Sequence, residues 1–364
     1  MQVPRIEYMF WAKTRARVQY DLAASGVPLA SPEDYGAQAE DLCAAEMGPY
    51  GHPKLIQALA RRYGASEASV VPVPGASMGN YLALVAAIDR GDKLLVERPN
   101  YECLPRAAEF FGAAVEWFDR VESRRWAPDL HQVEDGLRGG ARAVLLSNLH
   151  NPSGMRLTSD EVAALADMTG RAGASLIIDE VYLDYLHINR GGAPNTAASL
   201  APHIIATSSL TKVYGLGGLR AGWLMASPEM AERVRRAMDH LMVNNSSVSM
   251  NLAIRALENM SALEARTRWM YEQGRPVVQT WLDARDDPGC SEDDGAVFVF
   301  INLGPGVDDW RLMERLVEQY SVAVVPGTFF GCPGHIRVSF TLPPDPLREA
   351  LDRLGRAIDE ARRS

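Results

Sequence analysis

Of the 37 basic residues in this 364-residue chain only four are lysines, Lys13, Lys54, Lys93 and Lys212. Lys54 follows Gly-His-Pro at the opening of a helical pattern, and Lys93 follows Gly91-Asp92 just before an apolar run, both ordinary solvated positions. Lys212 is different, because it closes the segment SSLTK beyond a strand-like run, inside a loop rich in Ser, Thr and Gly. A lysine that forms an imine must reach its carbonyl unprotonated, and a partly desolvated site near other cations lowers its pKa for that purpose. Ser209 and Thr211 offer hydroxyls to an anion, and Arg220, eight residues on, offers a planar fork suited to phosphate. Taken alone, the segment reads more readily as a loop lysine in water beside incidental hydroxyls.

Four further segments have the same double character. PGASMGN precedes the helical run Tyr81 to Ile88, so Ala76 and Ser77 can turn free backbone N–H groups toward a phosphate, or simply start a helix. Asp179 ends the apolar run SLII, where an ionised carboxylate needs a cationic or hydrogen-bonding partner; a protonated pyridine nitrogen would serve, and so would the amides of the next turn. Asn151 in HNPSG and Tyr182 in DEVY can donate to a phenolic oxygen on such a ring, although an Asn-Pro is also a plain turn. Arg337 lies within the strand pattern HIRVSF, where a buried guanidinium wants an anion: a structural carboxylate, or the carboxylate of a substrate held bidentately.

These loops must be held by a scaffold. A chain of this length, 47% hydrophobic and 23% charged, can bury a large core and divide into two lobes. Its net charge of -9 and pI near 5.4 argue against nucleic acid or an anionic membrane surface as partner. Cys43, Cys103, Cys290 and Cys332 are scattered, with no histidine at ligand spacing, so neither a metal site nor a disulfide framework is expected, and a reducing cytoplasm is the expected compartment. No apolar run approaches the roughly 18 residues of a membrane span.

From about residue 70 to 226 short apolar runs alternate with helix-length amphipathic stretches, the pattern of a mainly parallel sheet covered by helices. The expected strands are Val70–Pro74, Lys93–Glu97, Ala114–Phe118, Ala141–Ser147, Ala174–Ile178, His203–Thr207 and Arg220–Met225. Ligands of such sheets bind beyond the carboxyl ends of the strands, where PGASMGN, RPNYE, SNLHNPSG, DEVYLDY and SSLTKVYG would converge. Beyond 226 the pattern gives long helices, Pro228 to Met242 and Ser249 to about Arg285, then an α+β lobe with strands in GAVFVFINL, SVAVVPG and GHIRVSF. The last helix is expected to open at Asp345-Pro346 and bury a stripe of Leu347, Leu351, Leu354 and Ile358.

With NPSG, IIDEVY, SSLTK, GLGGLRAGW and HIRVSF in this order over nearly the whole chain, the sequence resembles the class I/II aminotransferases of fold type I. The resemblance implies an α/β fold with a seven-stranded, mainly parallel sheet in a large domain of residues 41–250. It also implies a smaller α+β domain with its interdomain helix at 251–364, an N-terminal segment 1–40 packing with that domain, and a homodimer with its site at the interface. The implied cofactor is pyridoxal 5'-phosphate, with Lys212 as Schiff-base lysine and proton shuttle, Asp179 on the pyridine nitrogen, and Asn151 and Tyr182 on the ring hydroxyl. Tyr101 in RPNYEC is similar to the aromatic stacked on the ring, while Ala76, Ser77, Ser209 and Arg220 would hold the phosphate. Arg337 would clamp the substrate α-carboxylate, and Gly26 in AASGVP would close over it.

Two departures bear on function. Aligning YGHPKLIQALA with the family's helix start puts Glu46 where relatives carry a tyrosine that reaches the neighbouring subunit's phosphate, with Tyr50 as the alternative. Around MDHLMVNNSSVSMN no arginine is present for a distal carboxylate, which argues against a dicarboxylic substrate. The opening EYMFWAKT and DLAASGV are also similar to capreomycidine-synthase-like members, which process arginine derivatives by elimination and cyclisation. The expected reaction is therefore transamination of an L-amino acid with a 2-oxo acid, with β- or γ-elimination, cyclisation or oxidation at the same site as the rival. A non-catalytic sensor fused to a DNA-binding module is disfavoured, because only about 70 residues precede the first sheet strand and they hold no helix-turn-helix pattern.

Overall fold

The computed structural model describes residues 3–44, 48–285, 289–292 and 294–363. The chain opens with a helix, Glu7–Thr14, and a short strand β1 (Tyr20–Asp21), then enters the large sheet. Its strands are β2 (Val70–Val73), β3 (Lys93–Arg98), β4 (Ala114–Val121), β5 (Ala127–Pro128), β6 (Ala143–Ser147), β7 (Ser175–Asp179), β8 (Ile204–Ser209) and β9 (Gly222–Met225). They lie in the order β2-β9-β8-β7-β6-β3-β4-β5. The run from β8 through β7, β6 and β3 to β4 is parallel, and β9 is antiparallel to both β8 and β2. All seven expected strands form, and the two-residue β5 adds an antiparallel edge on β4.

The apolar runs that pointed to central strands are buried along their whole length in β6, β7 and β8. Helices cover both faces, so these strands need no polar alternation. Strand β4, next to the edge, is by contrast exposed or half-buried along Ala114–Trp117 and alternates only over Phe118–Val121. One core cluster packs the helix Ala76–Ala87 on one face of the sheet, and another packs Leu137, Val162 and Leu165 on the other. Because β2, β6, β7 and β8 run in one direction, their carboxyl ends and the loops that follow open at the same edge.

Several element bounds differ from the sequence expectation. Arg220 adopts a left-handed conformation (φ 51) that ends the pairing, so β9 begins at Gly222 rather than at Arg220. The long helical pattern after 247 divides at Asn259 into Ser247–Glu258 and Met260–Asp283. The final helix, Pro344–Arg363, opens one residue ahead of Asp345, with Leu347, Leu351, Leu354 and Ile358 buried as expected.

The second lobe carries a sheet of β10 (Phe298–Asn302), β13 (His335–Ser339) and β12 (Val325–Pro326), in that order and antiparallel. The segment SVAVVPG, expected as one strand, is two: β11 (Val322–Ala323) pairs in parallel with β1, and the chain then turns at Val324 to join β13. The N-terminal segment is thereby stitched to this lobe, with Ser339 N also donating to the carbonyl of Leu22. No helix among the described residues is long and apolar enough to cross a membrane.

Candidate active site

The strand ends bound a cavity of about 770 Å³. Ala76, Ser77, Tyr101, Asn151, Asp179, Tyr182, Ser209, Lys212 and Arg220 all line it, brought together from six separate loops and strand ends. Gly26 and Arg337 lie one layer behind. Glu46 falls outside the described residues, and Tyr50 does not line the cavity; its hydroxyl donates to Asp239 at 3.0 Å.

The loop that carries Lys212 is held by its main chain. The Lys212 carbonyl accepts from the Tyr185 hydroxyl at 2.9 Å and from Val27 N at 3.0 Å, and the Val213 carbonyl accepts from Thr267 Oγ1 at 2.6 Å. Gly26 packs directly against this backbone, where a Cβ would come within 2.5 Å of the Lys212 carbonyl oxygen. Only a residue without a side chain permits that approach. The Lys212 amine donates to Ser25 Oγ at 2.7 Å, and Ser25 also interacts with the Tyr182 phenol. Burial, reinforced by the Arg337 cation and opposed by Asp179, pushes the amine down to about 8. About a tenth of the amine is then unprotonated at pH 7, against well under a thousandth for an ordinary lysine.

Asp179 is buried at the end of β7, and its desolvation raises its pKa against the pull of its hydrogen bonds. Asn80 Nδ2 donates to Oδ2 at 2.7 Å and Val181 N to Oδ1 at 3.0 Å. The helix Ala76–Ala87 starts at Gly75 (φ 90) without a side-chain cap, leaving its first amides free of side-chain acceptors. Across from them the Arg220 guanidinium donates to the Pro74 carbonyl at 3.2 Å, and a Cβ on Gly75 would lie 2.5 Å from its Nη2. Uncapped amides, a guanidinium with no carboxylate partner among the described residues, and the Ser209 and Thr211 side chains make an anion cradle.

Arg337 is wholly buried. Its Nη1 donates to Asn151 Oδ1 at 2.7 Å, and its Nη2 makes longer bonds to the Tyr8 hydroxyl (3.3 Å) and the Ala23 carbonyl (3.4 Å). Among the described residues its Nε has no hydrogen-bond partner and no carboxylate pairs with it. The rings of Phe298 and Phe330 flank it at 5.3 and 5.2 Å.

The N-terminal helix forms one wall, which the sequence reading did not anticipate. Tyr8, Met9 and Lys13 line the cavity, and Tyr8 packs edge-on to Tyr101 with ring centroids 5.5 Å apart. Glu102 receives the helix's first amides, from Glu7 N at 3.3 Å and Tyr8 N at 2.8 Å. Ser25 and Asn80 were also missed. Ser25 directly precedes Gly26, and Asn80 is a polar residue inside the apolar helical run MGNYLALVAA, a detectable signal because buried amides require partners.

The fold is that of the fold type I pyridoxal-phosphate enzymes. An aminotransferase from Streptococcus suis, described as PLP-dependent, superposes with a TM-score of 0.89 over 99% of both chains at 21% identity. An aminotransferase from Mycobacterium tuberculosis gives 0.87 over 98% of this chain and 97% of that one at 24% identity. The family model for aminotransferase class I and II matches residues 29–354, and the chain belongs to that family. Among curated relatives, aspartate aminotransferase of Thermotoga maritima is 26% identical over 84% of this chain and 81% of its own. Capreomycidine synthase of Streptomyces vinaceus is 28% identical over 95% of this chain and 90% of its own.

Proposed function

We propose that the protein is a pyridoxal 5'-phosphate-dependent aminotransferase that moves the amino group of a non-dicarboxylic L-amino acid to a 2-oxo acid. One observation carries the substrate side of this reading: Arg337 is a wholly buried cation with no carboxylate partner among the described residues. A buried unpaired guanidinium is costly, and a bound α-carboxylate would supply the missing charge.

The residues fit the cofactor. The uncapped turn at Gly75–Ser77, with Ser209 and Arg220, suits a phosphate; Asp179 suits a ring nitrogen; Asn151 and Tyr182 suit the ring hydroxyl; and Tyr101 offers a stacking face. When bound, the cofactor would supply an aldehyde for Lys212 and an electron sink for the substrate's α-carbon. Lys212, with its depressed pKa, would take the α-proton on Nζ and return it, and Ser25 at 2.7 Å would orient that amine. Arg337 and Asn151 would fix the carboxylate, and so set which bond at the α-carbon faces Lys212.

A second reading at the same site is elimination or cyclisation of an arginine derivative. It is favoured by the capreomycidine synthase match, which spans 95% of this chain at 28% identity. The enzyme would act in the cytoplasm as a homodimer, the assembly typical of the family it belongs to. An amino-acid panel, scored for oxo-acid formation with and without a 2-oxo acid acceptor, separates the two reactions: product without acceptor overturns transamination. Lys212→Ala should lose the visible absorbance of the lysine-linked cofactor, and retention of both absorbance and turnover would overturn the assignment of Lys212.

A further inference from the structure

We propose that Asn80 and Thr207 are positioning residues that hold Asp179 as a charged acceptor aimed at the cofactor's ring nitrogen; this rests on the cofactor reading above. The three side chains come from different elements. Asn80 lies in the first turns of the helix that follows β2, Asp179 ends β7, and Thr207 is its register neighbour on β8. All three are buried, at 3%, 6% and 0% exposure.

They form a directed chain. Thr207 Oγ1 donates to Asn80 Oδ1 at 2.5 Å, and Asn80 Nδ2 donates to Asp179 Oδ2 at 2.7 Å. The amide's orientation follows from this. Turned over, Asn80 would set its carbonyl oxygen against a carboxylate oxygen, which is tolerable only if Asp179 is protonated. In the orientation that an ionised Asp179 requires, the amide oxygen faces the Thr207 hydroxyl, which donates to it and completes the chain. The carboxylate is thereby fixed as an acceptor on both oxygens, with Val181 N on the other at 3.0 Å. A carboxylate kept in this state retains its charge for a protonated ring nitrogen, despite its burial. The neighbouring Gly79 brings the helix close to the sheet here, since a Cβ on it would meet Thr207 Cγ2 and Val73 Cγ2 at 3.3 Å each.

A purely structural role would affect any ligand of the cavity, whereas positioning of Asp179 matters only if the ligand carries a nitrogen opposite it. The test is equilibrium binding of pyridoxal 5'-phosphate and of its 1-deaza analogue, which has carbon at that ring position, to cofactor-free wild type, Asn80→Ala and Thr207→Val. Wild type should prefer the natural cofactor. Asn80→Ala should lose roughly tenfold or more in affinity for it, as expected for a hydrogen bond to a charged group, with the analogue's affinity unchanged within about threefold. Thr207→Val, nearly isosteric, should show the same selective loss to a smaller extent, which keeps the proposal open to test if Asn80→Ala folds poorly. Equal losses for both ligands, or no loss for either, would overturn the positioning role. Wild type that does not distinguish the two ligands would instead overturn the pairing of Asp179 with a ring nitrogen, and wild type that binds neither would overturn the cofactor reading.

Discussion

Replacing Arg337 with methionine should separate function from stability in opposite directions. In the cofactor-free protein the side chain makes one good hydrogen bond, to Asn151 at 2.7 Å, two long ones at 3.3 and 3.4 Å, and flanks two phenylalanine rings. Losing these costs about 1 kcal/mol for the good bond and ~1–2 kcal/mol for the ring contacts. Against this, the folded protein no longer desolvates a cation without a counter-ion, a cost of several kcal/mol per buried ion. Arg337→Met should therefore unfold in urea at no lower a midpoint than wild type. Its kcat/KM for amino acids should fall roughly 30-fold to several thousand-fold, the range for removing one member of a buried charge pair at about 2–5 kcal/mol. An amine substrate without the α-carboxylate should be turned over equally by both proteins. A variant destabilised by more than about 3 kcal/mol that keeps its kcat/KM within threefold would refute the argument, because Arg337 would then be a structural cation satisfied by its protein neighbours.

Other perturbations follow from the same geometry. The Lys212 amine, pushed from 10.5 to about 8, carries a folding cost that is full below pH 8 and relieved as pH rises toward 10.5. Cofactor-free Lys212→Met should then be more stable than cofactor-free wild type by up to about 3 kcal/mol at pH 7, and urea titrations at pH 7 and above 10.5 should show the difference vanish. Gly26→Ala would press a Cβ to 2.5 Å from the Lys212 carbonyl, so cofactor affinity by absorbance titration should fall roughly tenfold or more; undiminished affinity would show that the loop can yield. Glu102→Ala releases the amides of Glu7 and Tyr8, and at about 1 kcal/mol per lost cap KM should rise several-fold as the helix wall loosens, with the melting temperature of the core unchanged.

The residues readable from sequence were those whose type is incongruous with their place. Asp179 terminates an apolar strand, Arg337 interrupts one, and Lys212 is a rare lysine in a hydroxyl-rich loop. Each anomaly survives without knowledge of the fold, because a charge at the end of a buried run must be answered by something. The strands were readable for a related reason: β6, β7 and β8 are buried on both faces and so appear as unbroken apolar runs. Where a local conformation overrode the pattern, the reading slipped, at Arg220 with its left-handed φ and at Asn259, where one apparent helix is two.

The supporting residues carried little such signal, and the reason is distance along the chain. Ser25 meets the Lys212 amine across 187 residues, Asn80 meets Asp179 across 99, and Tyr8 meets Arg337 across 329. Serine, asparagine and tyrosine are unremarkable where they stand, and only the folded contacts turn them into partners of a charge. The charged groups of the site are thus announced by local incongruity, while the neutral groups that hold them are defined by topology. Substitutions at the neutral positions should accordingly change affinities and pKa values by modest factors, and those at the charged positions should abolish steps.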